Sequence, residues 1–408
     1  MLDKKTETPP TNGVDPRSIR QWDNEHFFHP WDAMGVTDMD RVIAHEAKGI
    51  YLYDPTGRRY IDGPGGMWNV QIGYGREEMA HAIAKQAMSL SYHSPWAFTS
   101  EPSAVLAKKL ADMAPGDLNS VFFTTGGSSA VDSALRFAQF YNNLRGKPEK
   151  KLIIAREKGY HGSTYLSATV SGKERDKSFL DTEGRLVRFL PNVNPYVRPE
   201  GMSVEAWCDA KVADLENMIL ELGADKVAAF IAEPVFDIVP DIITCAKGLT
   251  SGYLPLGACI ISDRLIDEVS SAEREDVLFS NGYTYSGHPV CCAAALKNIE
   301  IMEREGLLEH VRAITPKFQA RIQALKRFDI VGDARGMGLV GCVEGHVPTQ
   351  SKRSAAERLE LDKDLGARID QKCEDMGLIV RPLINMCVFS PPLIITEDQI
   401  DEMFDILE

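Results

Sequence analysis

The sequence predicts an α/β fold: a large domain with a mainly parallel sheet, and a smaller α/β domain built from both chain ends. Three observations lead there. Ser120-Val-Phe-Phe-Thr-Thr is a short apolar run followed at once by Gly126-Gly-Ser-Ser and a helical period from Ala130 to Tyr141, the strand, turn and helix of an α/β unit. Continuous apolar runs at 151–156, 227–233, 241–245 and 258–262 suit parallel strands covered on both faces. From about Pro289 a long helical stretch reaches Gly306, and helices then alternate with short strands at 330–333, 338–343 and 386–389.

In chain order, Pro16 to Phe28 reads as a short amphipathic helix with Trp22, Phe27 and Phe28 on its apolar face. From Ala47 onward, alternating apolar and polar residues around Pro55-Thr56-Gly57 predict a hairpin. Gly63, Gly65, Gly66, Gly73 and Gly75 make the next stretch rich in loops. Two helical periods follow between Glu77 and Ala114, on either side of 91–96. The expected division is 1–75 as the N-terminal part of the small domain, 76–298 as the large domain, and 299–408 as the C-terminal part of the small one.

A chain of 408 residues, 44% hydrophobic and 25% charged, has the composition of a soluble globular protein large enough for two domains. Its net charge of -14 argues against a nucleic-acid partner, which requires a basic face. Neither a signal peptide nor an apolar run of bilayer length is visible, so the expectation is a cytoplasmic protein without a membrane partner. The eight cysteines, at 208, 245, 259, 291, 292, 342, 373 and 387, form no C-x-x-C pair, which suits reduced thiols and predicts no metal centre.

The most informative segment is Asp241-Ile-Ile-Thr-Cys-Ala-Lys-Gly-Leu-Thr-Ser-Gly-Tyr-Leu-Pro-Leu-Gly. A lysine where a buried strand meets a glycine-rich turn is pushed toward its neutral, nucleophilic form by desolvation. Spacing alone leaves a second reading open, in which the ammonium of Lys247 escapes to the surface. Thr124-Thr-Gly-Gly-Ser-Ser is likewise either an anion-binding helix start or an ordinary glycine turn.

Together, Ala246-Lys247-Gly248 with Ser251-Gly252-Tyr253-Pro255-Gly257 resembles the lysine segment of the class III (omega) aminotransferases, fold-type I enzymes that use pyridoxal 5'-phosphate. The likeness extends from about Trp22 to Leu407. It implies that Lys247 holds the cofactor aldehyde, that Gly127 and Ser128 bind its phosphate, and that Tyr160 and His161, in Gly-Tyr-His-Gly, stack on the ring and line the pocket. Thr284 would reach the phosphate of the other subunit, and Glu233 would help position the partners of the ring. Trp68 would wall the substrate pocket, as would Trp96, and Arg381 would bind the acceptor carboxylate. The sequence departs from the family at His288, where Asn is usual, and at Ile384-Asn385, where Gly-Asp or Gly-Asn is usual.

The resemblance implies transfer of an amino group from an amine or ω-amino acid to a 2-oxo acid such as pyruvate, by a homodimer with a tetramer as the alternative assembly. A decarboxylase or aminomutase of the same fold, or a cofactor-free scaffold, are the competing readings. One unit of the family is missing. Ala232-Glu-Pro-Val235 runs directly into Phe236-Asp-Ile-Val-Pro240, where the family has a helix and then a strand bearing an aspartate for the ring nitrogen. A parallel crossover needs at least roughly 10–12 residues, so a segment is expected to be absent between 235 and 236, with a break between the Val235 carbonyl and the Phe236 nitrogen.

Overall fold

A computed structural model describes residues 14–35, 38–233, 239–271, 274–345 and 354–408. The expected break at Val235–Phe236 lies outside the described residues. The N-terminal stretch carries helix α1 (Pro16–His26), strands β1 (Glu46–Lys48), β2 (Tyr51–Tyr53) and β3 (Arg59–Asp62), and the single turn α2 (Gly65–Trp68). The middle of the chain runs α3 (Glu77–Ser89), α4 (Glu101–Met113), β4 (Leu118–Thr124), α5 (Gly127–Leu144), β5 (Leu152–Arg156) and α6 (Tyr165–Val170). It continues through β6 (Val187–Leu190), α7 (Val204–Leu222), β7 (Val227–Phe230), β8 (Ile242–Cys245), β9 (Gly257–Ser262), α8 (Asp263–Val269) and α9 (Pro289–Arg304). The remainder is α10 (Leu307–Ala324), β10 (Val331–Met337), β11 (Val340–Gly345), α11 (Ala355–Met376), β12 (Leu378–Ile379), β13 (Pro382–Leu383), β14 (Met386–Phe389) and α12 (Glu397–Leu407).

These elements form two compact units, Met1–Glu77 with Ile301–Glu408, and Glu78–Glu300. In the first, β12 joins β3 in parallel, so a strand from the C-terminal region completes the sheet of the N-terminal hairpin. A second antiparallel sheet has the order β10-β11-β14-β13. The core of this unit draws Ile50 and Ile61 from one chain end and Phe318, Phe389, Met403 and Phe404 from the other. Burial of each such side chain contributes roughly 1.5–3 kcal/mol.

The second unit has two three-stranded sheets, β6-β5-β7 and β4-β9-β8. The first is parallel throughout. In the second, β9 runs antiparallel to both neighbours, where its apolar run suggests a parallel strand. A strand buried on both faces reads as continuously apolar in either direction, and β9 is buried at every residue. Among the described residues no helix is long and apolar enough to cross a membrane.

One carboxyl in α11 gives a pH signature. Burial, with the charge of Glu374 one turn on, pushes Asp370 up to about 6. The folded state therefore holds this proton more tightly than the unfolded chain. Its contribution is complete below the unfolded value and is lost as pH rises through about 6. Asp370→Asn is expected to raise the thermal midpoint near pH 8, with the gain shrinking toward about pH 4, as scanning calorimetry at the two pH values would show.

Candidate active site

The site residues of the second unit gather where β4 gives way to α5. Gly126, at the helix N-cap, supplies no side chain to the orphan amides of the first turn. The first backbone bond into the helix is Ala130 N–H to Gly126 O, 3.0 Å. The amides of Gly127, Ser128 and Ser129 thus remain available at the positive end of an 18-residue helix, which suits a phosphate.

The lysine segment lies against this turn. A Cβ built on Gly127 would stand 3.6 Å from the Ala246 Cβ, and one on Gly257 would fall 2.4 Å from Gly126 O. Lys247, one residue beyond the Ala246 that follows β8, has φ 33°, a left-handed conformation that costs a residue with a Cβ and is typical of functional positions. The turn beyond it is fixed by the fully buried Asn298 of α9, whose amide donates to Gly248 O (2.8 Å) and Leu249 O (3.1 Å). The sequence leaves both a desolvated and a surface lysine open; Lys247 is exposed and β8 only half-buried. The surface reading of its side chain therefore describes this structure, because β8 has no strand on its far side among the described residues.

The loop bearing Tyr160 and His161 is tied to the same turn through hydroxyls. Ser163 N–H donates to Ser128 Oγ (3.1 Å), and Thr164 Oγ1 donates to Ser128 O (3.3 Å). Glu233 accepts the Tyr160 N–H at 2.8 Å and pairs with Arg156 at 3.4 Å. Partial burial raises the Glu233 carboxyl, but the Tyr160 N–H, His161 and Arg156 outweigh it and hold the group below its ordinary value. Burial, aided by Arg156, lowers His161 against the pull of Glu233, and its Nε2 is buried without a hydrogen-bond partner. A ring nitrogen oriented but unsatisfied is what a pocket awaiting a ligand presents.

Thr284 is exposed, its carbonyl accepting Tyr92 O–H at 3.0 Å. The neighbouring Tyr283 donates to Ser129 O (3.1 Å), so this segment is anchored on the first turn of α5. Trp96 is 91% exposed.

Trp68 and Arg381 are brought together in the first unit, the guanidinium carbon 5.1 Å from the indole centroid, with Arg381 Nη1 also contacting Met67 Sδ. Sequence reasoning missed what shapes this pair. The buried Asp62 carboxylate accepts from Gly66 N–H (2.7 Å) and Tyr74 O–H (2.6 Å). Gly65, at φ 58°, leaves no room for a side chain beneath Ser390 O. Ile384-Asn385 forms the two-residue turn between β13 and β14, with Ile384 at φ 66°, a strained position for a β-branched residue where the family's glycine would sit freely.

Comparison with known proteins gives this geometry its family. The chain matches Aminotransferase class-III over residues 33–237 and 235–408. It belongs to the class III aminotransferases. This aminotransferase is 34% identical to the putrescine–pyruvate aminotransferase of Pseudomonas aeruginosa, over 94% of each chain. It is 31% identical to the chloroplastic gamma aminobutyrate transaminase 3 of Solanum lycopersicum, over 98% of this chain and 86% of the relative. Its fold superposes on an (S)-enantioselective omega-transaminase from Thermomicrobium roseum with a TM-score of 0.90 and 28% identity, covering 97% and 98% of the two chains.

The family decides among the readings of the sequence: the chain is a pyridoxal-phosphate-dependent aminotransferase of fold-type I that passes an amino group to a 2-oxo acid. The residues present fit the cofactor's phosphate, through the free amides at the start of α5, and its aldehyde, through a lysine segment packed on the same turn. The aminotransferase matches its family in two stretches rather than one. They share residues 235–237.

Proposed function

We propose that this enzyme takes its amino group from an amine or ω-amino acid and delivers it to pyruvate, with Lys247 as the catalytic base. The approach of Ala246 to Gly127, 3.6 Å from a Cβ placed there, carries this reading, because it sets the lysine beside amides suited to a phosphate. When bound, pyridoxal 5'-phosphate supplies an aldehyde that condenses with amines and a ring that withdraws electrons from the bond being broken. Gly127 and Ser128 hold the phosphate. Tyr160 covers the ring face, His161 lines the pocket, and Glu233 fixes both through the Tyr160 N–H. Lys247 Nζ binds the aldehyde between turnovers and, once released, moves a proton at the substrate carbon.

Thr284, exposed on its anchored segment, reaches the phosphate of a second copy, which makes the working unit a homodimer. The cytoplasm is its location. Arg381, held over Trp68, takes the carboxylate of the acceptor. The test is an assay of the purified enzyme with pyridoxal 5'-phosphate, pyruvate and a panel of diamines, ω-amino acids and arylalkylamines, reading alanine formation. Absence of alanine with every donor would refute the proposal. Arg381→Ala is expected to raise the KM for pyruvate by about 10- to 100-fold, in keeping with the roughly 1.5–3 kcal/mol of a charged hydrogen bond, while the KM for a donor without a carboxylate stays unchanged.

A further inference from the structure

Asp62, the last residue of β3, is a buried carboxylate whose partners carry no charge. Tyr74 O–H and Gly66 N–H donate to the same oxygen, Oδ2. Burial raises this carboxyl above its ordinary value, and Tyr74 with the amides of Gly66 and Gly65 offsets only part of the rise. Among the described residues no Lys, Arg or His pairs with it. A buried charge without a countercharge is costly, and a local rule is broken in this way where the group serves a site.

What Asp62 holds is the turn α2. Gly65, Gly66 and Trp68 all have left-handed backbones there, at φ 58°, 64° and 62°, and Met67 between them is non-helical at φ -106° and ψ 46°. The amides of Asn69 and Val70 both converge on Gly65 O, so the first amides of the turn are left to the Asp62 carboxylate. The same turn carries Met67 and Trp68, the thioether and the indole that Arg381 contacts.

A second connection runs through the main chain. Asp62 stands in register with Ile379 of β12, and Gly63 N–H donates to Ile379 O at 3.2 Å. Arg381 comes two residues later. Asp62 is thus fixed to the strand that leads into Arg381 and also holds the turn that receives its side chain.

We infer, on the reading of Arg381 as the binder of the acceptor carboxylate, that Asp62 is a positioning residue for acceptor recognition. By fixing the α2 turn it sets where Arg381 waits, and so how tightly the enzyme takes a 2-oxo acid. It does so without touching the substrate. The guanidinium is not among its partners, so the coupling passes through Gly66, Met67 and Trp68. Groups that orient a binding residue in this way contribute to affinity alongside the residue itself.

Steady-state kinetics of the holoenzyme with one carboxylate-free amine donor test this, in the wild type, Asp62→Asn, Arg381→Ala and the double variant. Asparagine keeps the shape of the side chain but gives up the charge and one accepting oxygen. The KM for pyruvate is expected to rise by about 3- to 10-fold in Asp62→Asn, the size of one net hydrogen bond. The double variant is expected to match Arg381→Ala, because a positioning residue has no effect once the group it positions is gone. Loss of folded enzyme lowers the apparent kcat and leaves KM alone, so a role in stability only does not produce this pattern. An unchanged KM in Asp62→Asn, or effects that multiply in the double variant, would overturn the inference. Should Asp62→Asn not fold, Tyr74→Phe removes the other donor to Oδ2 and carries the same comparison, with a rise of about 2- to 3-fold expected and an unchanged KM counting against it. An unchanged KM in Arg381→Ala would sink Arg381 as the carboxylate binder and the positioning role with it. A raised KM there beside an unchanged one in Asp62→Asn would sink the positioning role alone.

Discussion

Lys247→Ala is expected to abolish amino transfer while leaving the fold intact. Its amine is the group proposed both to hold the cofactor aldehyde and to move the proton, and general acid–base work of this kind contributes about 10²–10⁴-fold, with the loss of covalent attachment added to it. The side chain is exposed, so its removal opens no cavity, and the stability should change by no more than a surface substitution does, about 0.5 kcal/mol. Alanine is the informative choice. It keeps a Cβ at φ 33°, whereas glycine would relieve the backbone strain and change two things at once. Lys247→Arg should be equally inactive, since it preserves the charge but cannot condense with an aldehyde at neutral pH. Activity above about one per cent in either variant, or an unchanged absorbance on adding pyridoxal 5'-phosphate to the wild type, would remove Lys247 from the mechanism.

The sequence made the ends of strands and the start of α5 legible because those positions carry local chemistry. A short apolar run into Gly126-Gly127 can do little but turn, and the helix begins at Gly127 itself. Lys247, Ser128 and the Tyr160–His161 loop were readable for the same reason, as small motifs with a fixed order. What could not be read was non-local. The pairing of β12 with β3 joins residues more than 300 positions apart, and nothing in Leu378-Ile379 marks its partner. Asp62 and Tyr74 look like ordinary surface residues until folding buries the carboxylate at 1% exposure beside a phenol and an amide. Helix α7 escaped notice although its half-buried face repeats at helical spacing through Trp207, Leu215, Met218, Ile219 and Leu222, and although Ser203 at its N-cap and Gly223 at its C-cap were signals available in the sequence. The exposure of Lys247 was left open for a different reason: burial depends on the neighbours of β8, which local patterns cannot supply.

Gly172→Ala is expected to be the most damaging one-carbon change near the site. A Cβ at this position would lie 2.1 Å from Arg156 O and 2.8 Å from the Glu157 Cα, both backbone atoms with no rotamer through which to yield. Gly172 also donates its N–H to Gly159 O (2.8 Å) and accepts from Lys158 N–H (3.0 Å), so the displaced strand end is the one that carries Tyr160 and His161. Overpacking of this kind costs about 1–3 kcal/mol, and the upper end is expected here because the obstruction is main chain on both sides. For a unit of roughly two hundred residues that is a fall of about 6–12 °C in thermal midpoint. Gly184→Ala is the control, since a Cβ there meets nothing within 4 Å and the substitution should be neutral or slightly stabilising. If the loop is the coupled element, Gly172→Ala should also weaken cofactor retention beyond what its lower stability explains, measured well below its midpoint. Equal midpoints for the two variants would show that the chain between 156 and 172 is free to give way, and that Glu233 and Ser128 alone do not hold the Tyr160 loop in place.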